Sequence, residues 1–326
     1  MITRRALSAA LLASPALTAI RPAFAQGAWK PERPIEVIVP YPPGGGIDIM
    51  ARLAGKYLPN FLPGANIVVT NKVGAGGQSG SEQVYTARPD GYTLGAVATL
   101  AFSSLPHDRP VRWKIEKFSY LAQMVDDPGG FWVKKDSPYK TMADLVAAMK
   151  KAPESVAVGC AAGIGSDDHQ LLLAFEEAAG VRALNVPYNG TALSIRDLLG
   201  GQIQVASYNL SEGIALEKEG QTRCLGGAGE ARWDALPHVP TFKEQGFDVI
   251  GGSARGFVGP PDLPENVTAT LVTAFQGMMS DKGFQEEAKR LFLPMKPAYG
   301  VEYRDSVLVE GKRVDELFKR RPWTSK

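Results

Sequence analysis

The chain has 326 residues, of which 44% are hydrophobic and 21% are charged, with 36 Lys and Arg against 34 Asp and Glu. This length suffices for two domains of ordinary size, and the near balance of charge excludes nucleic-acid binding through a strongly basic surface. The two cysteines and three histidines stand in no metal-ligand spacing, so no metal site is predicted.

Residues 1–25 match an export signal. Arg4 and Arg5 form a charged start, an apolar stretch covers residues 6–20, and Ala23-Phe24-Ala25 matches the cleavage pattern of signal peptides. We therefore expect an exported, soluble protein that is cleaved after Ala25 and begins at Gln26. The paired arginines leave both the general and the twin-arginine export routes open.

Removal of this signal changes the charge of the protein. Residues 1–25 contain three arginines and no acids, which leaves 33 basic against 34 acidic residues and a net charge of about −1. The mature chain has no basic run and no basic amphipathic helix, so we expect it to bind neither nucleic acid nor a membrane surface. Any anion must therefore be bound by local groups.

The first structural element of the mature chain is a buried strand at 35–39, followed by Pro40-Tyr41-Pro42-Pro43-Gly44-Gly45-Gly46-Ile47-Asp48. Apolar residues then recur with a helical period, which predicts a helix over 48–58. Glycines let the backbone approach a ligand, and a helix N-terminus offers unpaired N–H groups with a partial positive charge. The loop therefore predicts an anion site built from main chain. A tight strand-to-helix connection without a ligand is the alternative.

The remaining elements alternate between strands and helices, which predicts parallel sheets and an α/β fold. A break between two domains is predicted near residues 126–130. The first domain has strands at 35–39, 67–70 and 93–97 and helices at 48–58 and 78–87. The second has strands at 156–160, 184–186, 203–206 and 222–226 and helices at 141–150, 166–179, 190–199 and 211–219. Helices at 265–280, 282–292 and 301–319 close the chain.

Three further turns, at 71–80, 163–169 and 187–191, also lead from a strand into a helix. Ligands of parallel α/β sheets bind outside the carboxyl ends of the strands, so two halves with such turns predict a ligand cleft between them. Gly74-Ala75-Gly76-Gly77-Gln78-Ser79 lacks the third glycine of a dinucleotide-binding loop, and no P-loop occurs. No nucleotide or other cofactor is therefore predicted.

Residues 166–169 allow two interpretations. Asp167, Asp168 and His169 resemble an acid/base cluster, but Ser166 or Asp167 could instead cap the helix, with the acids at its positive end. Capping is favoured for Asp167, whereas the side chains of Ser166 and Asp168 are expected to face the cleft. No G-x-S-x-G motif or nucleophile–base pair is present, so no enzyme activity is predicted.

Taken in order, these motifs resemble the periplasmic solute-binding proteins of tripartite tricarboxylate transporters, the Bug or TctC-like receptors. The resemblance covers essentially the whole mature chain. Its residues include Gly44-Gly45-Gly46-Ile47-Asp48 with Arg52, Val73-Gly74-Ala75-Gly76-Gly77 with Gly80, Ala87 to Leu94, Gly165-Ser166 with His169, Val186 to Gly190, Leu198 to Gln202, and Leu236 to Phe242.

The resemblance implies a two-domain periplasmic-binding-protein fold, type II-like, that closes on a ligand in the cleft between its domains. Domain I would comprise 26–127 plus 250–326, and domain II 128–249. One ligand carboxylate would be held on the first two glycine loops, largely through backbone N–H groups and ordered water. By position, the ligand-binding residues would be Tyr41, Gly44, Gly45, Gly46, Asp48, Gly76, Gly77 and Gly80 from the first domain, and Ser166, Asp168, His169, Tyr188, Asn189, Gly190 and Asn209 from the second.

Two departures from the family pattern bear on the ligand. Asp167-Asp168 stands where many relatives have small or amide residues, and acids there could repel a polycarboxylate or pair with an amino group. Gly252 to Phe257 replaces an aromatic-rich segment. Arg255 is therefore a candidate clamp for a distal carboxylate, because a guanidinium binds a carboxylate in a bidentate fork. A surface or hinge salt bridge is the alternative for Arg255.

The resemblance thus implies a monomeric periplasmic receptor that captures a small organic carboxylate and delivers it to the membrane permease of a tripartite transporter. A secreted α/β hydrolase acting on carboxylate esters and a binding protein recruited to signalling are the alternatives. Cys160 and Cys224 both lie in apolar runs, and either a disulfide or two buried free thiols is possible in an oxidising compartment.

Overall fold

The computed structural model describes residues 28–324, so the predicted signal peptide and its cleavage site lie outside the described residues. Strands and helices alternate, and helices cover both faces of a continuous set of hydrogen-bonded strands. The first half consists of β1 (Ile35–Val39), α1 (Gly46–Tyr57), β2 (Ile67–Asn71), α2 (Gln78–Tyr85), β3 (Thr93–Ala98), α3 (Leu100–Asp108) and the long β4 (Ser119–Lys134).

The second half repeats this order of elements. It consists of α4 (Met142–Lys151), β5 (Ala157–Cys160), α5 (Asp167–Ala179), β6 (Leu184–Pro187), α6 (Thr191–Leu199), β7 (Val205–Asn209), α7 (Leu210–Lys218) and β8 (Thr222–Gly227). The chain then returns to the first half with β9 (Gly252–Gly259), α8 (Glu265–Ser280), α9 (Lys282–Arg290), β10 (Met295–Tyr299) and α10 (Gly300–Arg320).

Both halves have the same strand order, and each contains one strand from a chain segment that crosses between them. The first sheet runs β2-β1-β3-β9-β4, with β9 antiparallel between β3 and β4. The second runs β6-β5-β7-β4-β8, with β4 antiparallel between β7 and β8. The predicted α/β class is confirmed, but the prediction of parallel sheets holds only for β2, β1 and β3 and for β6, β5 and β7, because the crossing strands make both sheets mixed. The equivalent helices α1 and α5 each follow the first parallel strand of their half.

The apolar strands are buried on both faces, which explains why they read as continuous runs rather than as alternating patterns. In β1, Val37 and Val39 belong to the core beneath α1, where they join Met50. The intervening Ile38 belongs to the opposite core, where it joins Val84 of α2. Since successive side chains of a strand point to opposite faces, one short run of residues supplies both cores.

The predicted break near 126–130 does not interrupt the secondary structure. Strand β4 continues through these residues and exchanges its partners there: Pro128 is paired with Gly252 in the first sheet, and Gly129 is paired with Asn209 in the second. Proline and glycine normally mark a turn. Here they mark the position where one strand leaves one sheet and enters the other. Strands β9 and β10 and helix α3, which contains Pro106, were also not predicted.

Candidate functional site

Helices α1, α2, α5, α6 and α7 each follow the carboxyl end of the preceding strand, all but α7 after a short loop, and the chain encloses a cavity of about 270 Å³ between the two halves. This volume lies near the lower end of the roughly 300–1,000 Å³ typical of small-molecule sites. The lining consists of Tyr41, Pro42, Pro43, Gly45, Gly46, Ile47, Asp48, Ala98, Ala161, Ala162, Asp167, Asp168, Asn189, Gly190, Thr191, Ala192, Leu193, Asn209, Glu212, Ser253 and Arg255.

A groove of larger volume, about 740 Å³, lies elsewhere, near Trp233 and Phe292. Its charged groups are exposed at the surface, and one of them, Lys296, is already paired with Asp126 at 2.6 Å. The smaller cavity is the better candidate site because several helix N-termini and buried charges converge on it.

The wall formed by the first half is the N-terminus of α1, where no side chain caps the helix. Gly45 occupies the N-cap position, and the Gly46 N–H points out of the first turn. The carboxylate of Asp48 is turned back into this loop, where it accepts hydrogen bonds from the Gly44 N–H at 3.0 Å and from Asn71 Nδ2 at 2.9 Å. Asp48 therefore fixes the loop and does not itself occupy the N–H groups at the start of α1.

A third partner, Arg52, completes the environment of Asp48, with Nε at 3.0 Å from Oδ2. Burial alone would raise the pKa of Asp48, but the hydrogen bonds from Arg52, Gly44 and Asn71 outweigh it and lower the pKa. Asp48 is consequently ionised and neutralised locally, so its charge contributes little to the field inside the cavity.

At Gly46 and Gly77 a side chain from another element approaches the backbone closely. A Cβ on Gly46 would lie 1.9 Å from Arg255 Nη1, so only glycine lets the guanidinium pack against the start of α1. A Cβ on Gly77 would lie 2.9 Å from Tyr41 Oη, and Gly77 also has a left-handed φ of +96°. The glycines of the two loops therefore bring side chains into position as well as exposing backbone.

The wall formed by the second half is the N-terminus of α5, which has its own cap and two acids. Ser166 is the N-cap residue: its Oγ accepts a hydrogen bond from the His169 N–H at 3.3 Å and donates one to the Ala161 carbonyl at 2.7 Å. Asp167 and Asp168 follow in the first turn and line the cavity. The favoured assignment of Asp167 as the cap is therefore wrong, and it is Ser166 that caps the helix.

Arg255 lies at the centre of the site and is 2% exposed. Its Nη2 donates to Asn209 Oδ1 at 2.6 Å, and its Nε donates to Ser253 Oγ at 3.3 Å. Its Nη1 lies 3.1 Å from Asp127 Oδ2 but has no aligned hydrogen-bond partner among the described residues. The surface salt bridge considered for Arg255 is thus excluded, because both Arg255 and Asp127 are buried beside the cavity.

Glu212, in the first turn of α7, reaches across the cavity and connects the two halves. Its Oε1 accepts the Gly46 N–H of α1 at 3.0 Å and the Thr191 hydroxyl at 3.3 Å. Its Oε2 accepts the Asn209 N–H at 3.4 Å and lies 3.8 Å from Arg255 Nη2. A carboxylate of the protein itself therefore occupies the anion position at the N-terminus of α1.

Burial perturbs the acids of the site strongly. It raises the pKa of Asp127 to about 7, although the neighbouring Arg255 opposes the shift. It also raises the pKa of Asp167, and it raises that of Asp168 well above the usual range, with the charge of Asp167 adding to the effect. Burial alone would lower the pKa of Arg255, but the surrounding acids raise it. The guanidinium of Arg255 therefore stays charged, whereas ionisation of one acid makes ionisation of its neighbours less favourable.

The structure brings many of the predicted site residues to the cavity lining: Tyr41, Gly45, Gly46, Asp48, Asp168, Asn189, Gly190, Asn209 and Arg255. Gly76 and Ser166 line a small adjoining pocket that shares Tyr41 with the cavity. Gly44, Gly77, Gly80, His169 and Tyr188 line neither of these pockets. Direct ligand contact stays a prediction for the residues that line the cavity.

His169 and Tyr188 have other partners in this structure. His169 Nδ1 accepts the Gly165 N–H at 3.0 Å, and burial lowers the pKa of His169 to about 4, so the ring is neutral. The Tyr188 hydroxyl donates to Asp197 at 2.9 Å. A Cβ on Gly80 would lie 2.9 Å from the Lys72 carbonyl, so Gly80 lets α2 pack closely on the preceding loop. These residues support the walls of the site.

Asp127, Asp167 and Glu212 belong to the site but were not among the predicted ligand-binding residues. Asp127 was assigned to a break, although it lies buried in β4, where it accepts a hydrogen bond from the Ser211 N–H at 3.2 Å. Glu212 could have been found, because Asn209-Leu210-Ser211-Glu212 has the spacing of a capping box at a helix that starts on the predicted ligand edge. No local pattern identifies Asp127.

Cys160 and Cys224 are both buried and free, so the disulfide considered from the sequence is not formed. Burial raises the pKa of both thiols well above the usual range. Residues 28–324 contain no group of three or more His, Cys, Asp or Glu side chains arranged to hold a metal ion. Within the same residues, no helix is long and apolar enough to cross a membrane.

Comparison with known sequences gives a consistent family. Residues 50–293 match the model of the TctC family, described as the tripartite tricarboxylate transporter family receptor. A UPF0065 protein from the gbd 5′ region of Cupriavidus necator is 32% identical over 90% of this chain and 88% of its own length. Protein BugT of Bordetella pertussis is 32% identical over 67% of each chain.

Solved structures agree with this family. The periplasmic binding protein BugD is 29% identical and covers 89% of this chain and 98% of its own, with a TM-score of 0.81. MatC from Rhodopseudomonas palustris, solved with bound malate, covers 89% and 98% with a TM-score of 0.76, and its 23% identity supports a shared fold alone. The expected two-domain periplasmic-binding-protein fold is thereby confirmed, and the chain belongs to the TctC family of tripartite tricarboxylate transporter receptors.

Proposed function

We propose that this receptor binds a small organic carboxylate in the cavity between its halves and delivers it to the permease of a tripartite transporter. One observation carries the carboxylate assignment: Glu212 already places a carboxylate oxygen 3.0 Å from the Gly46 N–H, at the positive end of α1. Arg255 Nη1, a buried donor without an aligned acceptor, lies against the same glycine. A ligand carboxylate that displaces Glu212 would gain both donors.

Capture is proposed to proceed by closure of two domains, domain I comprising 26–127 plus 250–326 and domain II comprising 128–249. The crossing strand β4 exchanges sheets at Pro128, and the return crossing lies beside it, since the Gly129 N–H donates to the Gly251 carbonyl at 3.0 Å. Two adjacent crossings form a natural hinge axis. The Gly46–Glu212 hydrogen bond lies across the cleft and would break when the domains open.

The location follows from the family and from the first residues of the chain. The family consists of periplasmic binding proteins. We propose that the signal at 1–25 directs export and is cleaved after Ala25. A monomer is proposed, because the site is built from a single chain. Its action needs binding and release only, without chemical conversion of the ligand.

A thermal-shift screen of short mono-, di- and tricarboxylates against the mature protein tests the carboxylate assignment. A ligand present at 100 times its Kd stabilises the folded state by about 2.7 kcal/mol, which gives a measurable rise in Tm. We expect at least one acid to raise Tm, its primary amide to raise it far less, and the acid to be recovered unchanged. If no carboxylate shifts Tm, or if amide and acid bind equally, the carboxylate assignment is wrong.

Delivery to a permease is tested separately from binding. Uptake of the identified acid should require the receptor in cells that carry the tripartite permease, and a receptor variant that cannot bind the acid should not support uptake. Uptake that is independent of the receptor, together with capture of a signalling ectodomain by the liganded protein, would support the sensing alternative.

A further inference from the structure

The cavity contains more negative groups than its cation can balance. The carboxyl groups of Asp127, Asp167, Asp168 and Glu212 surround the guanidinium of Arg255, which is the single Lys or Arg side chain among the lining residues of the described chain. Arg52 is committed to Asp48 on the outer side of α1. A receptor that needed only to hold carboxylates would gain nothing from this surplus, because like charges repel in a buried site.

The acids of α5 are poorly satisfied, because Asp167 has one side-chain hydrogen bond, with Asn209, and Asp168 has one weak one. Asp168 is 3% exposed, and its carboxylate has one hydrogen bond, a long one of 3.5 Å from Ser207 Oγ. Asp167 Oδ2 is buried and has no hydrogen-bond partner among the described residues. A buried carboxylate with so few partners is costly, so these groups tend to hold a proton in the free protein, and a cationic group of the ligand would let them ionise.

The two kinds of group lie on different walls. The backbone donors at Gly46 belong to α1 of the first half, and the poorly satisfied acids begin α5 of the second half. Apolar residues of the lining, among them Ile47 and Leu193, contribute uncharged surface to the same cavity. A small molecule with an anionic end and a cationic end would satisfy both walls at once.

We propose that the ligand is an amino carboxylate whose protonated amino group is bound by Asp167 and Asp168 while its carboxylate is bound at α1. The cavity volume of about 270 Å³ limits this ligand to a small one. The assignment of the amino group rests on the proposed carboxylate-binding function. It depends on Asp167 and Asp168, however, whereas carboxylate binding depends on the N-terminus of α1.

Proton movement on binding distinguishes an amino ligand from a simple acid. Burial raises the pKa of both Asp167 and Asp168, and an ammonium group at these carboxyls would lower it again. Binding of an amino carboxylate should therefore release protons, whereas binding of a dicarboxylate should take up protons. Asp127, Glu212 and Arg255 act electrostatically on this pair, and the pair in turn raises the pKa of Tyr41, Cys160 and Tyr208.

The test compares acids that differ only by an amino group, such as glutamate with glutarate and aspartate with succinate, by calorimetry on the mature protein. We expect the amino member of at least one pair to bind about tenfold or more tightly, a difference of about 1.4 kcal/mol. Repeating the titration in buffers of different ionisation enthalpy gives the number of protons released.

Asp167→Asn and Asp168→Asn are the test variants, and Asp248→Asn, at a carboxylate whose side chain is 93% exposed, is the matched control. The cavity variants should lose about tenfold or more in affinity for the amino ligand and keep or improve that for its amine-free partner. Thermal unfolding of each variant shows that it remains folded. If Asp168→Asn unfolds, Asp167→Asn and the proton count still decide the question.

Three outcomes would overturn the inference while leaving carboxylate binding intact. The first is equal or tighter binding of the amine-free acid, and the second is a preference for the amino ligand that remains in both Asn variants. The third is a rise in Tm that Mg²⁺ or Ca²⁺ alone produces and that both variants abolish. Failure of every acid, with or without an amino group, would instead contradict the carboxylate assignment itself.

Discussion

The N-termini of α1 and α5 occupy equivalent places in the two halves, yet they present opposite chemistry to the same cavity. At α1 the residues are Gly44-Gly45-Gly46, no side chain of the helix itself caps it, and the Gly46 N–H is held by Glu212 of the other half, which a ligand carboxylate could replace. At α5 they are Ser166-Asp167-Asp168: serine satisfies the helix, and two acids face the cavity. One architecture thus yields an anion site on one wall and an acidic surface on the other.

This difference teaches that the fold fixes where a ligand is held, while a few residues at each helix start decide what is held there. Both helices have the same partial positive charge at the N-terminus. Glycines leave that charge for the ligand, whereas Ser166 and the acids neutralise it from within the protein. Arg255 and Glu212 lie between the two termini and couple them, so changes at these residues test the contrast most directly.

The largest effect is expected from Arg255→Ala. Asp127 is fully buried, and removal of its cation should destabilise the protein by about 3–5 kcal/mol, the usual cost of breaking a buried ion pair. Urea unfolding measures this loss. Arg255→Ala combined with Asp127→Asn should recover much of it. The exposed Arg313→Ala is the control and should cost no more than about 1 kcal/mol. An equal loss in the single and double variants would contradict the pairing.

The buried acids of the cavity, above all Asp127, should also contribute less to the stability of the free protein as pH rises. The pKa of Asp127 is about 7 in the folded state, above its unfolded value, so its contribution to stability is present at low pH and is lost as pH rises through about 7. Asp167, Asp168, Glu212 and Arg255 share this environment and modulate the loss. Burial lowers the pKa of His169 to about 4, so His169 stabilises the protein as pH rises over the same range, and the contribution of Asp127 is measured as the difference in Tm between the wild type and Asp127→Asn. This difference should shift in favour of Asp127→Asn between pH 4 and 8, by roughly 2–4 °C for each kcal/mol. A difference that is constant with pH, or that shifts in favour of the wild type, would refute the assignment.

Gly46→Ala tests the glycine-rich N-terminus of α1. The new methyl would overlap Arg255 Nη1 and should cost about 1–3 kcal/mol through overpacking, together with most of the ligand affinity. Gly45→Ala is the matched control, because its Cβ would lie 4.0 Å from Glu212 Oε1, an ordinary contact. Thermal unfolding and calorimetry on both variants measure the difference. Similar behaviour of the two variants would show that the close approach of Arg255 is unimportant.

Glu212→Gln should strengthen binding of an amine-free dicarboxylate by about tenfold, or about 1.4 kcal/mol. The Glu212 carboxylate accepts the Gly46 N–H and repels an incoming anion, whereas the neutral amide does not repel it. Calorimetry with succinate or glutarate gives the change in Kd. Glu219→Gln, at an exposed acid beyond the far end of α7, is the control. A tenfold weaker affinity would show that Glu212 binds the ligand and does not compete with it.

The smallest effect is expected from Ser166→Ala. Loss of this N-cap should destabilise the protein by about 1 kcal/mol, with the affinity for carboxylates changed little, because the Ser166 hydroxyl is committed to the Ala161 carbonyl and the His169 N–H. Urea unfolding and a parallel titration measure the two effects. A large loss of affinity with unchanged stability would place Ser166 in ligand binding.

Elements with a strong local signal were predicted well from the sequence, and those shaped by distant partners were not. β1 and α8 were predicted with the bounds that the structure shows, since each has a clear apolar pattern and defined ends. β4 was missed because Pro128 and Gly129 normally terminate a strand. Its continuity depends on pairing with β9 and β7, which come from distant parts of the chain.

The sequence by itself determined the family, the alternation of strands and helices, and the glycine-rich start of α1, because each of these depends on neighbouring residues. Only the tertiary structure brought Asp127, Glu212 and Arg255 together, since they come from three separate segments that meet where the chain crosses between its halves. Burial there raises the pKa of Asp127 to about 7 and leaves Asp167 Oδ2 without a hydrogen-bond partner among the described residues. The charge balance that selects a ligand is therefore a property of the assembled cavity.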